Sequence, residues 1–409
     1  MRLAFYFVYR ILRLLYGQAL ELWWRWRGMG AEKGRVRLLR IVAKVKRDVE
    51  ELPLEEDFLY WHDHFCEYDE LFGSQHWTIY AYTSSHVYFV RLPEAVNREY
   101  HARKHPFSFV NIFVDATKLA RISIEDFVSK TPEPPTRHPV TVLFICARSG
   151  STLLAQMLHR SGECVSLSEP AATCSLTTAY DRGWLGDDER VGRVLRATTR
   201  FLQLHLAADE RLVLKTTSQM TRLLTHLKRV DPRAKCVFCF RLNGRKSIER
   251  MLRRDPPLCG LVFLLWKYWP TLVNWLSSGR RFENQFVPYK PADLVELSQL
   301  YYLAPYVDFV QHSELFDAGP ILYDELISNP EAVVRRVVPV LDLDARTCVR
   351  DLKRLVCLTR DSQRGTFLSM DKVKEIRTAP LDGPASASRM RAIARRMGLD
   401  AHEAALFAN

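Results

Sequence analysis

Five consecutive residues, Arg148-Ser149-Gly150-Ser151-Thr152, bring a guanidinium, three hydroxyls and a glycine together just after the apolar run VTVLFIC and just before the helical pattern LLAQML. A strand that feeds a helix through such a turn leaves backbone N–H groups outside the helical ladder, and with the helix dipole these favour an anion. Gly150 permits the backbone angles the turn needs, Ser151 and Thr152 add hydroxyl donors, and Arg148 offers a charged fork to phosphate or sulfonate oxygens. The chemistry on offer is the cradling of an anion.

Two familiar anion chemistries do not fit. A nucleotide triphosphatase carries G-x-x-x-x-G-K-[ST], and the Lys of that pattern is missing here. A cysteine phosphatase needs Arg six positions after its Cys, whereas Thr152 stands six after Cys146, so this thiol reads as structural.

The loop resembles the 5'-phosphosulfate loop of sulfotransferases that use 3'-phosphoadenosine-5'-phosphosulfate, above all the Arg-Ser-Gly-[Ser/Thr]-[Ser/Thr] form of the carbohydrate and protein-tyrosine enzymes. Four further elements follow in the family's order. SLSEP places Glu169 21 residues after Arg148, the interval at which tyrosylprotein sulfotransferases carry their catalytic Glu. In RLVLKTTSQMTRLLTHLKRVDPRAKCVFCFR the resemblance implies a strand ending at Lys215, a helix, a turn and a strand ending at Arg241. Lys215 would stabilise charge on the bridging oxygen and Arg241 would hold the 3'-phosphate. The third element departs from the family: eight positions after Arg241 stands Glu249 where Ser is usual. With one extra residue near Leu242, Arg250 occupies the Ser position and Arg254 matches a further Arg, and Ser247 is a second candidate. The fourth is ILYDELISNPEAVV, similar to the family's Tyr-Glu-Asp-Leu stretch, with Asp324 and Glu325 as structural acids and a helix opening at Pro330. Beyond it, Arg364 and Gly365 match in part the family's loop over the nucleotide. The resemblance spans roughly residues 139 to 370.

What it implies is transfer of a sulfuryl group from 3'-phosphoadenosine-5'-phosphosulfate to a hydroxyl or amine acceptor, carbohydrate and protein tyrosine among the candidates. Glu169 would be the base and Lys215 the group at the leaving phosphate. Arg148 to Thr152 with Arg241, Ser247, Arg250, Arg254 and Arg364 would form the donor site. A sulfonate carries a single negative charge, so positioned Arg, Lys and N–H groups suffice and no metal is expected. Two other classes stay open. One is a non-catalytic binding or scaffold descendant, supported by the disturbed Ser position. The other is a P-loop small-molecule kinase, opposed by the absent Lys.

The elements that must hold these residues can be traced along the chain. VTVLFIC and KCVFCF are apolar without alternation, as strands are when helices cover both sheet faces. The expected class is α/β, a P-loop-type parallel sheet flanked by helices, with an N-terminal α+β extension. Ligands of such sheets sit beyond the carboxyl ends of the strands, where residues 147 to 152 must lie. The Pro-dense TPEPPTRHP marks a boundary. The expected order is a basic amphipathic arm at 1–48, a small α+β region at 49–138, the main domain at 139–375 and a helical tail at 376–409. Within 49–138, HWTIYAYTSSHVYFVRL reads as a hairpin and FSFVNIFVDATKL as another strand.

The 409 residues carry a net charge of +12, and residues 1–48 hold 12 Lys/Arg against 3 Asp/Glu, a surplus of 9. Charge so confined speaks against a nucleic-acid footprint and for a basic arm. MRLAFYFVYRILRLLYGQALELWW is interrupted by Arg10, Arg13 and Glu21, which makes it a poor membrane span. From Arg35 to Arg47, Leu38, Ile41, Val42 and Val45 alternate with basic residues at helical spacing, suited either to an anionic lipid surface or to packing on the protein's own core. His62, His64 and Cys66 alternate along one short stretch without a second ligand cluster, so a metal is not favoured. Nine cysteines lack framework spacing and no asparagine begins a glycosylation sequon, which leaves the compartment open. Trp266, Trp269 and Trp275 suit the core face of a helix better than a ring-stacking acceptor pocket.

Overall fold

The computed structural model describes residues 2–29, 34–96, 100, 106–160, 164–242, 244, 248–250, 260, 263–265, 267–269, 289–344, 346, 348, 369, 372, 375 and 384–399. They divide into two compact units, one built from Met1–His138 with Glu169–Asp209 and the other from Pro139–Ser168 with the described parts of 210–275 and 280–409.

The first unit opens with helix α1 (Arg2–Trp26), followed by strands β1 (Val36–Lys44) and β2 (Phe58–Cys66) and a short helix α2 (Tyr68–Phe72). The hairpin β3 (Trp77–Tyr82) and β4 (His86–Arg91), helix α3 (Ser108–Asp115), β5 (Lys118–Ser123) and α4 (Ile124–Lys130) complete its first stretch. The five strands form one antiparallel sheet in the order β2-β1-β5-β4-β3. Two expectations fail here. Residues 36–44 are a strand, not a helix: Val36, Arg37, Leu38 and Leu39 are buried in succession, so the core claims both sides of the pleat and erases the period of two. SFVNIFVD is helix α3: Ser108 through Phe113 are buried in succession, polar Ser108 and Asn111 among them, which hides the helical period.

Helix α1 is fastened to the β2 side of the sheet by polar groups. Arg13 Nε donates to the Phe58 carbonyl at 2.9 Å, Tyr16 Oη to the Tyr60 carbonyl at 2.7 Å and Tyr9 Oη to the Glu56 carbonyl at 3.1 Å. Arg10 pairs with Glu56 at 3.4 Å and Arg13 with Glu55 at 3.1 Å, while Arg37 stacks under Trp24 with 4.1 Å between guanidinium and ring. Removing one member of such a buried pair strands the other charge, at a cost of about 3–5 kcal/mol.

The chain then begins a second sheet with β6 (Thr141–Ile145), α5 (Ser151–Arg160) and β7 (Val165–Ser168). It leaves for α6 (Ala171–Asp181) and α7 (Asp188–Gln203), which complete the first unit. There Ser175 Oγ accepts from the Tyr82 N–H at 2.8 Å, Tyr82 and Thr198 share a hydroxyl bond at 2.7 Å, and the Phe201 ring lies 5.2 Å from that of Phe89.

The second unit resumes with β8 (Leu212–Lys215), α8 (Leu224–Val230), β9 (Lys235–Phe240), α9 (Leu294–Gln311), β10 (Ile321–Leu322), α10 (Tyr323–Ser328), α11 (Pro330–Val337) and α12 (Pro384–Arg396). Its five strands are all parallel, in the order β10-β9-β6-β8-β7, and helices flank them as the sequence led us to expect. Leu143, Ile145, Val213, Val237 and Cys239 join one core cluster with residues of α5, α10 and α11. Residues of the opposite parity face α9: the Phe238 ring is 4.6 Å from Phe309 and the Phe240 ring 4.7 Å from Tyr306. Both faces are covered, which is why the strands read as unbroken apolar runs.

Candidate active site

The connection from β6 leads to the β7 side of the sheet, whereas β9 leads to β10 on the other side. The strand order therefore reverses between β6 and β9, and in open parallel sheets ligands bind beyond the carboxyl ends of the strands at such a point. Arg148 to Thr152 follow β6, Arg241 follows β9, and Lys215 ends β8 on the far side of β6. All belong to the second unit.

Arg148 adopts φ 69° and Gly150 φ 78°. Left-handed backbone at a non-glycine costs on the order of 1 kcal/mol and persists only where the surroundings impose it. The Ser149 N–H bonds the Cys146 carbonyl at 3.3 Å, and the helical ladder starts with the Leu154 N–H on the Gly150 carbonyl at 3.1 Å. The N–H groups of residues 150 to 153 thus lie outside the ladder, at the end of α5 where its dipole is positive. Ser149, Ser151 and Thr152 are buried, and Ser149 Oγ has no hydrogen-bond partner among the described residues.

The same holds for two more buried hydroxyls, Ser168 Oγ at the end of β7 and Thr217 Oγ1 just past β8. Between them Lys215, only 1% exposed, is held by the parallel register that sets it opposite Leu143 and Ser168, and Thr216 donates from both N and Oγ1 to the Leu143 carbonyl. Its ammonium works against the burial that pushes the Cys239 thiol up to about 12. Cys146 is buried, donates its thiol to the Tyr302 carbonyl at 3.7 Å and is pushed well above its ordinary value by that burial, in keeping with a structural thiol.

Arg241 lies with its guanidinium carbon 4.2 Å over the ring of Tyr323, the first residue of α10. The same ring bounds the loop: a Cβ built on Gly150 would meet Tyr323 Cδ2 at 2.7 Å. One aromatic side chain therefore touches both the loop after β6 and the Arg after β9, a link the sequence did not signal beyond the Tyr-Asp-Glu-Leu stretch itself. Tyr302 of α9 donates to the Arg241 carbonyl at 2.6 Å and crowds Gly244, fixing the start of that segment.

Glu249 is fully buried, and Arg250 is half-buried with its Nε lacking a hydrogen-bond partner among the described residues. Glu169 follows Ser168 directly at φ 48°, half-buried, and opens the segment counted with the first unit. Ser247, Arg254 and Arg364 lie outside the described residues, as do Trp266 and Trp275. Trp269 is exposed rather than part of a core face. Among the described residues no three His, Cys, Asp or Glu side chains gather as a metal site. The sequence missed Ser168 and Thr217, because a hydroxyl beyond a strand is unremarkable until the fold shows it buried without a partner.

No family model and no curated protein matches the chain. Solved structures similar to it include sulfotransferase STF9 from Mycobacterium avium, with 15% identity over 67% of this chain and 81% of that one at a TM-score of 0.36. Another is the sulfotransferase domain of the olefin synthase from Synechococcus PCC 7002, with 14% identity over 64% and 97% of the two chains at a TM-score of 0.33. Likeness of this size assigns no chemistry.

Proposed function

We propose that the second unit binds 3'-phosphoadenosine-5'-phosphosulfate and that the chain transfers its sulfuryl group to a hydroxyl or amine. The observation that carries this reading is a set of three buried hydroxyls that lack a hydrogen-bond partner among the described residues, Ser149 in the loop after β6, Ser168 at the end of β7 and Thr217 just past β8, the strand that ends at the buried Lys215. Buried polar groups are almost always satisfied, so hydroxyls in this state point to a ligand rich in acceptors. The bound donor would supply an activated sulfur–oxygen bond.

In this reading the N–H groups at the start of α5, with Arg148 and the loop hydroxyls, hold the 5'-phosphosulfate oxygens. Lys215 neutralises the charge that collects on the bridging oxygen as its bond to sulfur breaks and the electron pair stays on phosphate. Arg241 and Arg250 take the 3'-phosphate as charged forks. Glu169, next in the chain after a residue paired with Lys215, accepts the acceptor's proton while the new oxygen–sulfur or nitrogen–sulfur bond forms. Its left-handed backbone resembles that of Arg148, and strain of this kind gathers at working sites.

A scaffold reading draws on one observation, the fully buried Glu249 where the 3'-phosphate motif has Ser. Calorimetric titration of the full chain with adenosine 3',5'-bisphosphate, without magnesium, separates the two. Micromolar affinity, about −8 kcal/mol, that is lost in Arg241→Ala supports the donor site. Absence of binding sinks it in favour of the scaffold, and preference for ATP with magnesium would favour a kinase.

A further inference from the structure

The outward side of α1 is apolar. Phe5, Val8, Leu12, Leu15, Leu22 and Trp26 recur at alternating steps of three and four with Ala19 completing the row, and all are exposed, the six large side chains from 54% at Val8 to 78% at Trp26. At 1.5 Å per residue the stripe is about 32 Å long. The helix's other side is spent on the first unit through Tyr9, Arg10, Arg13, Tyr16 and Trp24. The one acid on the helix, Glu21, is paired with Arg121.

At the carboxyl end of the helix the stripe runs into rings and cations. The Trp23 ring lies 5.1 Å from that of Trp61, which is itself exposed, and Arg27 sits over both Trp23 and Trp26 at 5.5 Å. Arg25, Arg27 and Arg40 are exposed, and Arg40 is the strand partner of Trp61. Apolar side chains continuous with Trp and Arg form the composition that settles at the boundary between lipid headgroups and acyl chains.

We propose that this face of α1 docks the protein flat on an anionic lipid surface. The steps of three and four would also suit a helical zipper with a second copy, but the flanking positions of a zipper carry opposite charges that pair across it. Here they are Tyr9, Tyr16 and Trp23 on one flank and Ile11, Gln18 and Arg25 on the other. The only charge they add is positive, which complements anionic headgroups and repels a copy of itself. A spanning insertion would strip Arg10 and Arg13 from Glu56 and Glu55, and among the described residues no helix is long and apolar enough to cross a membrane. The proposal stands independently of the sulfuryl-transfer reading.

The test is co-sedimentation of the full chain with phosphatidylcholine vesicles, with and without about 30% phosphatidylserine. Binding to the anionic vesicles is expected, weaker by about tenfold or more in Leu12→Asp/Leu15→Asp and weakened by salt and by Arg25→Glu/Arg27→Glu. The Leu12/Leu15 variant should keep its far-UV circular dichroism and melting temperature, because both side chains already face water. Failure to sediment, or binding indifferent to Leu12→Asp/Leu15→Asp, overturns the proposal. So does a chain that is dimeric in light scattering and becomes monomeric in that variant, which would give the face to a second copy.

Discussion

Gly150→Ala probes the loop after β6 through a contact whose size can be worked out. Alanine at φ 78° forfeits on the order of 1 kcal/mol relative to glycine. Its methyl would lie 2.7 Å from Tyr323 Cδ2 and 3.3 Å from Leu326 Cδ2, an overpacking that costs about 1–3 kcal/mol. The total, about 2–4 kcal/mol, has two outlets. If the loop stays in place, the strain lowers stability and the melting temperature falls. If the loop moves, Tyr323 and the Arg241 above it move too, and affinity for adenosine 3',5'-bisphosphate drops by about 30- to 1000-fold. The assay is differential scanning fluorimetry beside calorimetric titration of the full chain, with Gly150→Ala and Tyr323→Ala singly and together. The contact predicts a coupling energy between the two positions of at least about 1 kcal/mol, since the double variant has no ring to strike. A Gly150→Ala chain with unchanged melting and unchanged affinity would refute the reasoning, as would a cycle that closes with no coupling.

Glu169→Gln should abolish turnover while sparing bisphosphate affinity, and near-normal rates in a sulfuryl-transfer assay would remove Glu169 as the base. Lys215→Met keeps the length and apolar stem of a fully buried side chain but deletes its charge, so bisphosphate affinity should fall at least about tenfold, read by calorimetry. Cys146, buried and with its thiol pushed up, should resist iodoacetamide at neutral pH in the folded chain, and Cys146→Ala should leave donor binding intact; rapid labelling would contradict the structural role. At Asp293, burial is outweighed by the Glu296 N–H and by Arg389, which hold the carboxyl below its ordinary value. A depressed acid stabilises the fold above its unfolded value and loses that contribution as pH falls through its folded one. Protection factors for amide hydrogen exchange in α9 and α12, corrected for the intrinsic rate at each pH, should therefore fall on acidification below about pH 3.8, less so in Asp293→Asn, and a pH-independent difference would refute the link.

The parallel sheet was legible because two covered faces leave VTVLFIC and KCVFCF almost no polar positions, and the turn from β6 into α5 was legible because glycine and hydroxyls crowd into five residues. Lys215 and Arg241 stood out as charges that end apolar strands. What escaped detection did so for the same physical reason in each case. Arg37 is buried under Trp24, so a strand containing it mimics the charge spacing of a helix. Phe109 and Phe113 are buried on a helix whose polar residues Ser108 and Asn111 are buried as well, so its eight residues read as one apolar run. The hydroxyls without a partner among the described residues and the Tyr323 bridge depend on the arrangement of distant stretches, which no local pattern encodes.

The departure of the chain into α6 and α7 between β7 and β8 governs how the protein can be made. When β6 and β7 have left the ribosome the first unit is still unfinished, because Tyr82 waits for Ser175 and Thr198, and Phe72 and Phe89 wait for Phe201. Neither unit can be completed before the other has begun, so their folding overlaps in time rather than running domain by domain. Cutting at the Pro-dense stretch that looks like a linker would release a C-terminal piece whose α6 and α7 carry bare apolar faces, and an N-terminal piece with an open core. Because the two units take turns along one chain, neither can be expressed as an uninterrupted segment.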